Sequence, residues 1–380
     1  RLYGARRVVT EKPYDRDSLS STLMLHPALL LGYYSRNPMA TKLVTEYCDA
    51  WLELFEQAVA ENGPLSAKDR VLFPSTIQFE DRAVTASARY PSGYGHASMF
   101  LALREWTGDD RYFLAQRAWL ERGSADLRTL ADWIGYVDLD SHRGRLVEEA
   151  GAVDYAELNP AMGNDSRTQR QYVGWKLSSN RDLVVEALRD SWERIELLFP
   201  MHTWAEQSAD RVAISKDLVD RLYLGGTPGY RNNIYPTHSV SWEGFSPNFA
   251  AWVLETTPKK LTILAYNFEG QPQSGRLRIW RLEPGTYAIT LGPDADENGA
   301  PDRALAEAEQ VLCKGASLDL KLPPEQTVAI RLEQTEAGNR DFYARCDLAV
   351  AAQDCTVSGG EARIRVHNLG SGRGPAFVVA

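Results

Sequence analysis

Residues 225–238 read GGTPGYRNNIYPTH, and this stretch separates two parts of the chain that have different patterns. Before it, apolar residues recur at steps of three and four, which is the spacing of amphipathic helices. After it, short runs of alternating or β-branched residues lie between Pro, Gly and Asn residues. The stretch itself is rich in glycine and has no period. It therefore predicts a boundary between a helical domain and a β domain.

Three segments of the first part share one pattern, in which an apolar helix, a short polar turn and a second helix follow one another. The turn residues Asn37, Asp109 and Asn180 lie 72 and 71 residues apart, and each belongs to a residue type that caps helix N-termini. Repeated helical hairpins stack into solenoids or close into toroids. The pattern predicts a domain of repeated helical hairpins over residues 1–235 and leaves open whether they form a solenoid or a toroid.

The second part has the pattern of an antiparallel β-sandwich, which we place at residues 236–335. Its predicted strands are Ser239–Trp242, Ala250–Glu255, Leu261–Phe268, Arg276–Arg281, Thr286–Leu291, Ser317–Leu322 and Thr327–Leu332. A polar joint then leads to a further β module at residues 341–380. The predicted fold class is therefore multi-domain α plus β, with helical hairpins followed by an antiparallel β-sandwich.

Length and charge exclude several classes of protein. A chain of 380 residues is too long for one ordinary core and is expected to form two or three domains. The net charge of −9 argues against non-specific nucleic-acid binding, which needs a basic face. We find no apolar run long enough to span a bilayer, which takes about 18 residues.

The ends and the cysteines lead to two further expectations. The chain begins at Arg1 and ends on a strand-like run, so we expect a piece of a longer protein with other domains. The four cysteines include no C-x-x-C pair, which gives no support to a zinc ribbon or a redox motif. Cys346 and Cys355 can pair if the chain folds back between them, and the sequence leaves this open.

The boundary stretch carries the residue types that chemistry on an acidic sugar requires. Arg231 can neutralise a uronic carboxylate, which makes the neighbouring proton acidic, and Tyr235 or His238 can remove that proton and protonate the leaving oxygen. This reaction is a β-elimination. The alternative is a tight linker whose aromatic side chains pack on both domains.

Other candidates lie in three dispersed segments. His202 can serve as a base or, with Trp204, contact a sugar, although a histidine at this place can also cap the preceding helix. Asn164 is a candidate carboxylate neutraliser, and an Asx turn explains it equally well. Substrate contacts are expected from residues near the boundary and from a predicted loop at 90–96. They are Arg89, Tyr94, His96, Trp204, Tyr230, Trp242 and Glu243.

Residues 294–302 read DADENGAPD and resemble a calcium-binding loop. Asp294, Asp296, Asn298 and Asp302 place side-chain oxygens at the first, third, fifth and ninth positions, with Gly at the sixth. The twelfth position is Leu305 rather than Glu, so an EF-hand proper is not expected. The alternatives are a structural Ca²⁺ and a polar β-hairpin loop, and we expect no organic cofactor.

The helical repeats followed by strands resemble the (α/α)-toroid polysaccharide lyases of the heparinase, alginate and chondroitin lyase type, over roughly residues 18–335. This resemblance is architectural, and it implies that the helical hairpins of residues 1–235 close into an (α/α) toroid that is followed by the antiparallel β-sandwich. It implies a cleft across the toroid in which Asn, His, Tyr and Arg act on the substrate. The residues of matching type here are Asn164, His202, Arg231, Tyr235 and His238.

The C-terminal stretch is similar to the start of a CARDB-type adhesion module, an extracellular β-sandwich. The similarity lies in DLAV at 347–350 and in VHNLG at 366–370. It implies that the protein acts outside the cytoplasm, at the cell surface or in the periplasm.

The leading hypothesis is a secreted polysaccharide lyase that cleaves an acidic polysaccharide. The first alternative is an (α/α)-toroid glycoside hydrolase, which needs two carboxyl groups about 5–10 Å apart. Its candidate carboxylates are Asp138, Asp165, Glu206 and Glu243. The second alternative is a non-catalytic glycan-binding or scaffold protein, which buried and separated candidate side chains would favour.

Overall fold

The computed structural model describes residues 15–18, 24–62, 73–88, 94–121, 127–152, 165–198, 216–228, 235–338 and 348–368. These residues form both α-helices and antiparallel sheets, so the predicted α plus β class is confirmed. The chain divides into two compact units. Unit 1 comprises Arg1–Ser21, Leu52–Ser239 and Ala250–Leu254, and unit 2 comprises Thr22–Trp51, Val240–Phe249 and Glu255–Ala380. The domain limits given above remain predictions.

The described residues form nine α-helices. They are α1 His26–Ser35, α2 Pro38–Asn62, α3 Tyr94–Thr107, α4 Leu114–Glu121, α5 Leu127–Trp133, α6 Arg143–Gly151, α7 Asp165–Ser178, α8 Asp182–Leu198 and α9 Lys216–Leu224. A 3-10 turn, Asp110–Phe113, leads into α4. None of these helices is long and apolar enough to span a bilayer.

The three predicted turn residues cap the structure that follows them. Asn37 accepts hydrogen bonds from the backbone N–H groups of Met39 and Ala40, both at 3.1 Å, where α2 begins. Asp109 accepts from the N–H of Arg111 at 2.9 Å. Asn180 accepts from the N–H of Asp182 at 3.1 Å, at the start of α8. The predicted helix, turn, helix pattern is therefore present at all three places.

Aromatic side chains fill part of the core of unit 1. Phe55 on α2 packs at centroid distances of 5.1 Å against Phe73 and 5.7 Å against Phe100 of α3. All three rings are buried. Between α6 and α7, Gly174 permits a close approach, because a Cβ there would lie 2.3 Å from the Cβ of Ala150.

Unit 1 also contains an antiparallel sheet that the sequence did not indicate. Its strands are β1 Arg16–Ser18, β2 Phe73–Gln78 and β3 Val84–Ala88, in the order β1-β2-β3. The predicted strands begin only at Ser239, so this sheet is an addition to the predicted helical part. The strands are short, β2 contains Pro74, and β3 is largely exposed. Strands β2 and β3 therefore lack the alternation of apolar and polar residues by which strands are recognised.

The strands from Val240 to Ala337 form two further antiparallel sheets. The first has the order β10-β7-β4 and the second the order β5-β6-β11-β8-β9. The strands are β4 Val240–Glu243, β5 Phe249–Thr256, β6 Lys260–Asn267, β7 Gln273–Ile279, β8 Gly285–Pro293, β9 Ala306–Leu312, β10 Ser317–Leu322 and β11 Thr327–Ala337. The limits of the two units fall within α2 and β5. Face-to-face packing of the sheets as a sandwich stays a prediction.

The central strand of the larger sheet is β11. Ile330 lies opposite Ile263 of β6 and Leu291 of β8, and all three side chains are buried. The edge strand β9 was absent from the prediction. Its sequence, AEAEQVL, is exposed on both faces except for Leu312, so it lacks the apolar alternation of a half-buried strand.

Four short strands form two hairpin-like pairs near the C-terminal end of the described residues. Leu348–Ala349 (β12) pairs with His367–Asn368 (β15), and Cys355–Ser358 (β13) pairs with Glu361–Ile364 (β14). Cys355 is exposed and free among the described residues. Cys346 lies outside them, so the pairing of these two cysteines stays a prediction.

Candidate functional site

One group of polar and aromatic side chains in unit 1 surrounds the carboxylate of Glu105. The phenol of Tyr235 donates a hydrogen bond of 2.7 Å to Glu105 Oε2. The indole N–H of Trp106 donates to the Tyr235 oxygen at 3.0 Å, and the phenol of Tyr136 donates to Glu105 Oε2 at 3.4 Å. We call Glu105, Trp106, Tyr136 and Tyr235 the Glu105 cluster.

Rigid elements position the Glu105 cluster. Glu105 and Trp106 lie in the last turns of α3, and Tyr136 lies in the turn after α5. Tyr235 is fully buried, at 0% exposure, whereas the other three residues are half-buried. Glu105 and Tyr136 are therefore ionisable groups of the cluster that solvent or a ligand can partly reach, whereas Tyr235 is not.

The predicted boundary stretch is closed at its base by hydrogen bonds between residues 224–227 and 237–239. The Thr237 N–H donates to the Thr227 carbonyl at 2.9 Å, and the Thr227 N–H donates to Thr237 Oγ1 at 3.1 Å. The Ser239 N–H donates to the carbonyl of Leu224 at 2.8 Å. Gly226 permits this pairing, because a Cβ there would lie 2.2 Å from the Thr237 carbonyl oxygen.

Beneath this pairing lies a buried ion pair. Arg221 of α9 is 1% exposed, and its Nη1 lies 2.7 Å from Asp132 Oδ1 of α5, which is 9% exposed. Arg221 Nε also donates to Gln169 Oε1 of α7 at 2.9 Å. The hydroxyls of Thr237 and Thr227 lie 3.3 Å and 3.5 Å from Asp132 Oδ1. We call these five residues the Asp132 network.

The sequence reasoning found Tyr235 but missed Glu105, Asp132 and Arg221. One signal was available for Arg221. It follows Leu218 by three residues and precedes Leu222, so it lies on the buried stripe of α9, and a charge on such a stripe indicates a buried partner. Glu105 carried no comparable local signal.

The remaining predicted catalytic residues have different outcomes. His238 is half-buried and directly follows Thr237 of the Asp132 network. Asn164, His202 and Arg231 lie outside the described residues. Of the carboxylates proposed for a hydrolase, Asp138 is exposed and caps a turn by accepting from the N–H of Asp140 at 2.8 Å.

The predicted loop at 90–96 is partly wrong. α3 begins at Tyr94, so Tyr94 and His96 belong to its first turn rather than to a loop. The glycine and tyrosine content suggested a turn, but Gly95 is accommodated within the helix. Arg89, Trp204 and Tyr230 lie outside the described residues.

Trp242 and Glu243 lie on strand β4 of unit 2 and project to opposite faces of its sheet. The Glu243 carboxylate lies 2.8 Å from Arg278 Nε and 3.9 Å from Arg276 Nη1. The Trp242 ring packs at 5.3 Å from Phe249. The two predicted contacts therefore do not share one surface of this strand.

The predicted calcium loop lies between β8 and β9 in unit 2. Carboxylate oxygens of Asp294, Asp296 and Asp302 lie within 4.8 Å of one another and could hold a metal ion. Asp294 is fully buried and accepts from the N–H groups of Asn298 at 3.1 Å and Gly299 at 2.7 Å. Three oxygens of like charge at this spacing are the ligand type that Ca²⁺ prefers.

The two neighbouring carboxyl groups of this loop have pKa values that shift in opposite directions. Burial raises the pKa of Asp294, and the neighbouring carboxyl of Asp296 contributes to the rise. The hydrogen bond from the Asn298 backbone lowers the pKa of Asp296.

The fourth predicted ligand, Asn298, makes hydrogen bonds within the loop. Its side-chain oxygen accepts from the N–H of Ala300 at 2.7 Å, and its amide donates to Asp296 Oδ2 at 3.0 Å. Both ends of this side chain are thus used within the loop. The position of Leu305 confirms that the loop joins two strands, because its N–H donates to the carbonyl of Leu291 on β8 at 2.8 Å.

Comparisons with known proteins leave the family open. Neither a protein family nor a curated protein matches this chain. Among solved structures, the chain is similar to "The structure of KdgF from Halomonas sp.", at 12% identity, over 27% of this chain and 92% of that chain. The TM-score of that match is 0.10, which is too low to indicate a shared fold.

Proposed function

We propose that this chain is a polysaccharide lyase that cleaves an acidic, uronic-acid-containing polysaccharide by β-elimination, and that the Glu105 cluster in unit 1 is its site. The observation that supports this proposal is the 2.7 Å hydrogen bond from the Tyr235 phenol to the Glu105 carboxylate. A carboxylate held by a phenol is a group that can accept and return a proton. The half-buried ring of Trp106 beside it offers an apolar face to a sugar.

The burial of Tyr235 changes the roles that the sequence suggested. In this proposal, the half-buried Glu105 carboxylate removes the proton from the carbon next to the uronic carboxylate. A carbon–carbon double bond then forms as the glycosidic carbon–oxygen bond breaks, and His238 or His202 protonates the leaving oxygen. Asn164 and Arg231 neutralise the uronic carboxylate. Tyr235 holds Glu105 in place and does not contact the substrate.

The second candidate is a non-catalytic glycan-binding protein. The full burial of Tyr235 favours it, since a phenol at 0% exposure cannot touch a polymer directly. In this case Trp106, Tyr136 and Glu105 would form a binding surface without turnover. Binding and turnover must therefore be measured separately.

The test is incubation of the full chain with a panel of uronic-acid polysaccharides, namely alginate, pectate, hyaluronan, chondroitin sulfate and heparan sulfate. The ultraviolet absorbance of the unsaturated product reports β-elimination. Glu105→Gln should lower the rate by about 10²–10⁴-fold, as loss of a proton-transfer group does. Glu307→Gln, which changes the same residue type at an exposed position of unit 2, should leave the rate unchanged.

Three other outcomes would overturn the proposed reaction or the proposed site. Reducing ends released without ultraviolet absorbance would identify a hydrolase. Binding to one polysaccharide without any product, measured by affinity electrophoresis, would identify the glycan-binding protein. Full activity of Glu105→Gln would remove the Glu105 cluster from the chemistry.

We also propose that the cluster of Asp294, Asp296 and Asp302 takes a structural Ca²⁺. Titration calorimetry of the full chain with CaCl₂ should give a binding isotherm that is lost in Asp296→Ala. The exposed neighbour Glu297→Gln should keep it. An isotherm unchanged by Asp296→Ala would place any calcium elsewhere.

The extracellular location and the CARDB-like identity of residues 341–380 are part of the same proposal. They rest on the motif at 347–370 alone. Secretion of the parent protein, tested by fractionating the cells that make it, should place the chain outside the cytoplasm. Recovery in the cytoplasm would contradict both.

A further inference from the structure

The Asp132 network has no role in the proton transfers described above, although it buries two opposite charges. Removing a carboxylate and a guanidinium from water costs several kcal/mol per ion unless their hydrogen-bonding capacity is met. Here Asp132 Oδ1 lies near three donors, from Arg221, Thr237 and Thr227, at 2.7, 3.3 and 3.5 Å. Two of these donors belong to the chain on either side of residues 228–236.

We infer that the Asp132 network is a positioning device, which holds the Tyr235 phenol where it donates its hydrogen bond to the Glu105 carboxylate. This inference rests on the proposed function for its catalytic consequence, but not for its geometric claim. The helices α5, α7 and α9 supply Asp132, Gln169 and Arg221, and helices are rigid over this length. The Asp132 carboxylate is therefore a fixed point to which the two threonine hydroxyls are attached.

The short connection from Thr237 to Tyr235 transmits this position. The residue between them is Pro236, and all three are buried. Proline fixes its own φ near −65° and restricts the residue before it to extended conformations. Two residues span at most about 7 Å. Little conformational freedom remains between the Thr237 hydroxyl and the Tyr235 ring, so a shift at Thr237 must appear at Tyr235.

The Trp106 indole offers a direct readout of this coupling. Its N–H donates to the Tyr235 oxygen at 3.0 Å, and the two rings lie 6.2 Å apart. The proton resonance of an indole N–H depends on its hydrogen bond. The Trp106 resonance, identified by its loss in Trp106→Phe, therefore reports where the Tyr235 phenol lies, whether or not the protein has activity.

The experiment compares Thr237→Val, which removes the hydroxyl at nearly constant volume, with Thr237→Ser, which keeps it. The full chain is labelled with ¹⁵N. Thr237→Val should shift or broaden the Trp106 indole resonance, and Thr237→Ser should restore it. The control is Ser191→Ala, which removes another buried hydroxyl of unit 1, one that donates to the Ala187 carbonyl at 2.8 Å. Ser191→Ala should leave the Trp106 resonance in place.

Activity gives a second readout on the polysaccharide that the wild type cleaves. Thr237→Val should lower kcat by about 10- to 100-fold with little change in KM, since misplacement of a reacting group acts on the chemical step. An unchanged Trp106 resonance in folded Thr237→Val would overturn the inference. If that variant does not fold, Thr227→Val, which removes the longer contact to Asp132, must give a smaller shift of the same kind.

Failure of the proposed function gives a different result. A wild type that turns over none of the polysaccharides, while Thr237→Val still moves the Trp106 resonance and Ser191→Ala does not, removes the lyase and keeps the positioning device. Turnover that depends on Glu105, together with a Trp106 resonance that Thr237→Val leaves unchanged, keeps the lyase and removes the positioning device.

Discussion

Asp132 in unit 1 and Asp294 in unit 2 are both buried carboxylates, and they are compensated in opposite ways. Asp132, 9% exposed, faces the guanidinium of Arg221. Asp294, 0% exposed, faces two backbone N–H groups and has the acidic Asp296 and Asp302 as neighbours. The first group is neutral as a pair, and the second has excess negative charge. The Asp132 charge is thus balanced by a side chain of unit 1 itself, whereas the cluster around Asp294 could hold a metal ion.

The largest effect on stability is expected at Arg221. Arg221→Met should lower the free energy of unfolding of unit 1 by about 3–5 kcal/mol, because it leaves the Asp132 charge buried without its partner. Chemical denaturation of the full chain measures this. The control, Arg189→Met, removes an exposed arginine of α8. The double variant Arg221→Met with Asp132→Leu should recover most of the loss. Equal costs for the two single arginine variants would contradict this account.

The second test concerns the amide-held carboxylate. Asp294→Ala should lower the stability of unit 2 by about 1–3 kcal/mol, since the buried N–H of Gly299 loses its acceptor. Asp294→Asn keeps one acceptor oxygen and should cost less. The two midpoints in urea give the comparison. A neutral Asp294→Ala would mean that the loop does not depend on this side chain.

The third test uses pH. Because burial raises the pKa of Asp294 above its ordinary 3.8, the folded state binds its proton more tightly than the unfolded state. The contribution of this group to stability is full below pH 3.8 and is lost as pH rises through the raised pKa. The pKa of Asp296 is lowered, so its contribution to stability is present above pH 3.8 and is lost as the pH falls through the lowered pKa. Asp294→Asn should abolish the loss of stability above pH 3.8. An unchanged pH profile of stability in this variant would refute the contribution of Asp294.

The smallest effect is expected at an exposed pair. Glu243 and Arg278 are 41% and 35% exposed at their side chains and 2.8 Å apart. Glu243→Gln should cost about 0.2–1 kcal/mol, since solvent screens such pairs. The cost should shrink in 1 M salt, whereas that of Arg221→Met should persist. A cost of Glu243→Gln that does not change with salt would contradict the distinction between this exposed ion pair and the buried pair of Asp132 and Arg221.

Much of the fold could be predicted because its signals are local. Asn37, Asp109 and Asn180 announce helix starts through hydrogen bonds to residues two or three positions away. The strands of unit 2 with a buried side showed alternation. Strands β1, β3 and β9 did not, because their neighbours in the sheet stabilise them rather than their own apolar face.

The candidate site could be predicted only where it is contiguous. The Asp294 loop and the stretch around Tyr235 stand out as short motifs. Glu105 lies 130 residues before its partner Tyr235, and Asp132 lies 105 residues before Thr237. No local pattern marks such pairs. The use of Asn298 within its own loop likewise depends on side-chain orientation, which spacing does not specify.

The exposed edge strand β9 has a consequence for how copies of this protein meet. An open strand edge presents unpaired N–H and C=O groups that invite a second chain to add its own strand. On β9, Glu307 and Glu309 stand on one face of that edge, both exposed. Two copies approaching edge to edge would bring these acidic rows together, and the repulsion would oppose their joining. The polar sequence of β9, which kept this strand out of the prediction, thus also makes its edge a poor template for aggregation.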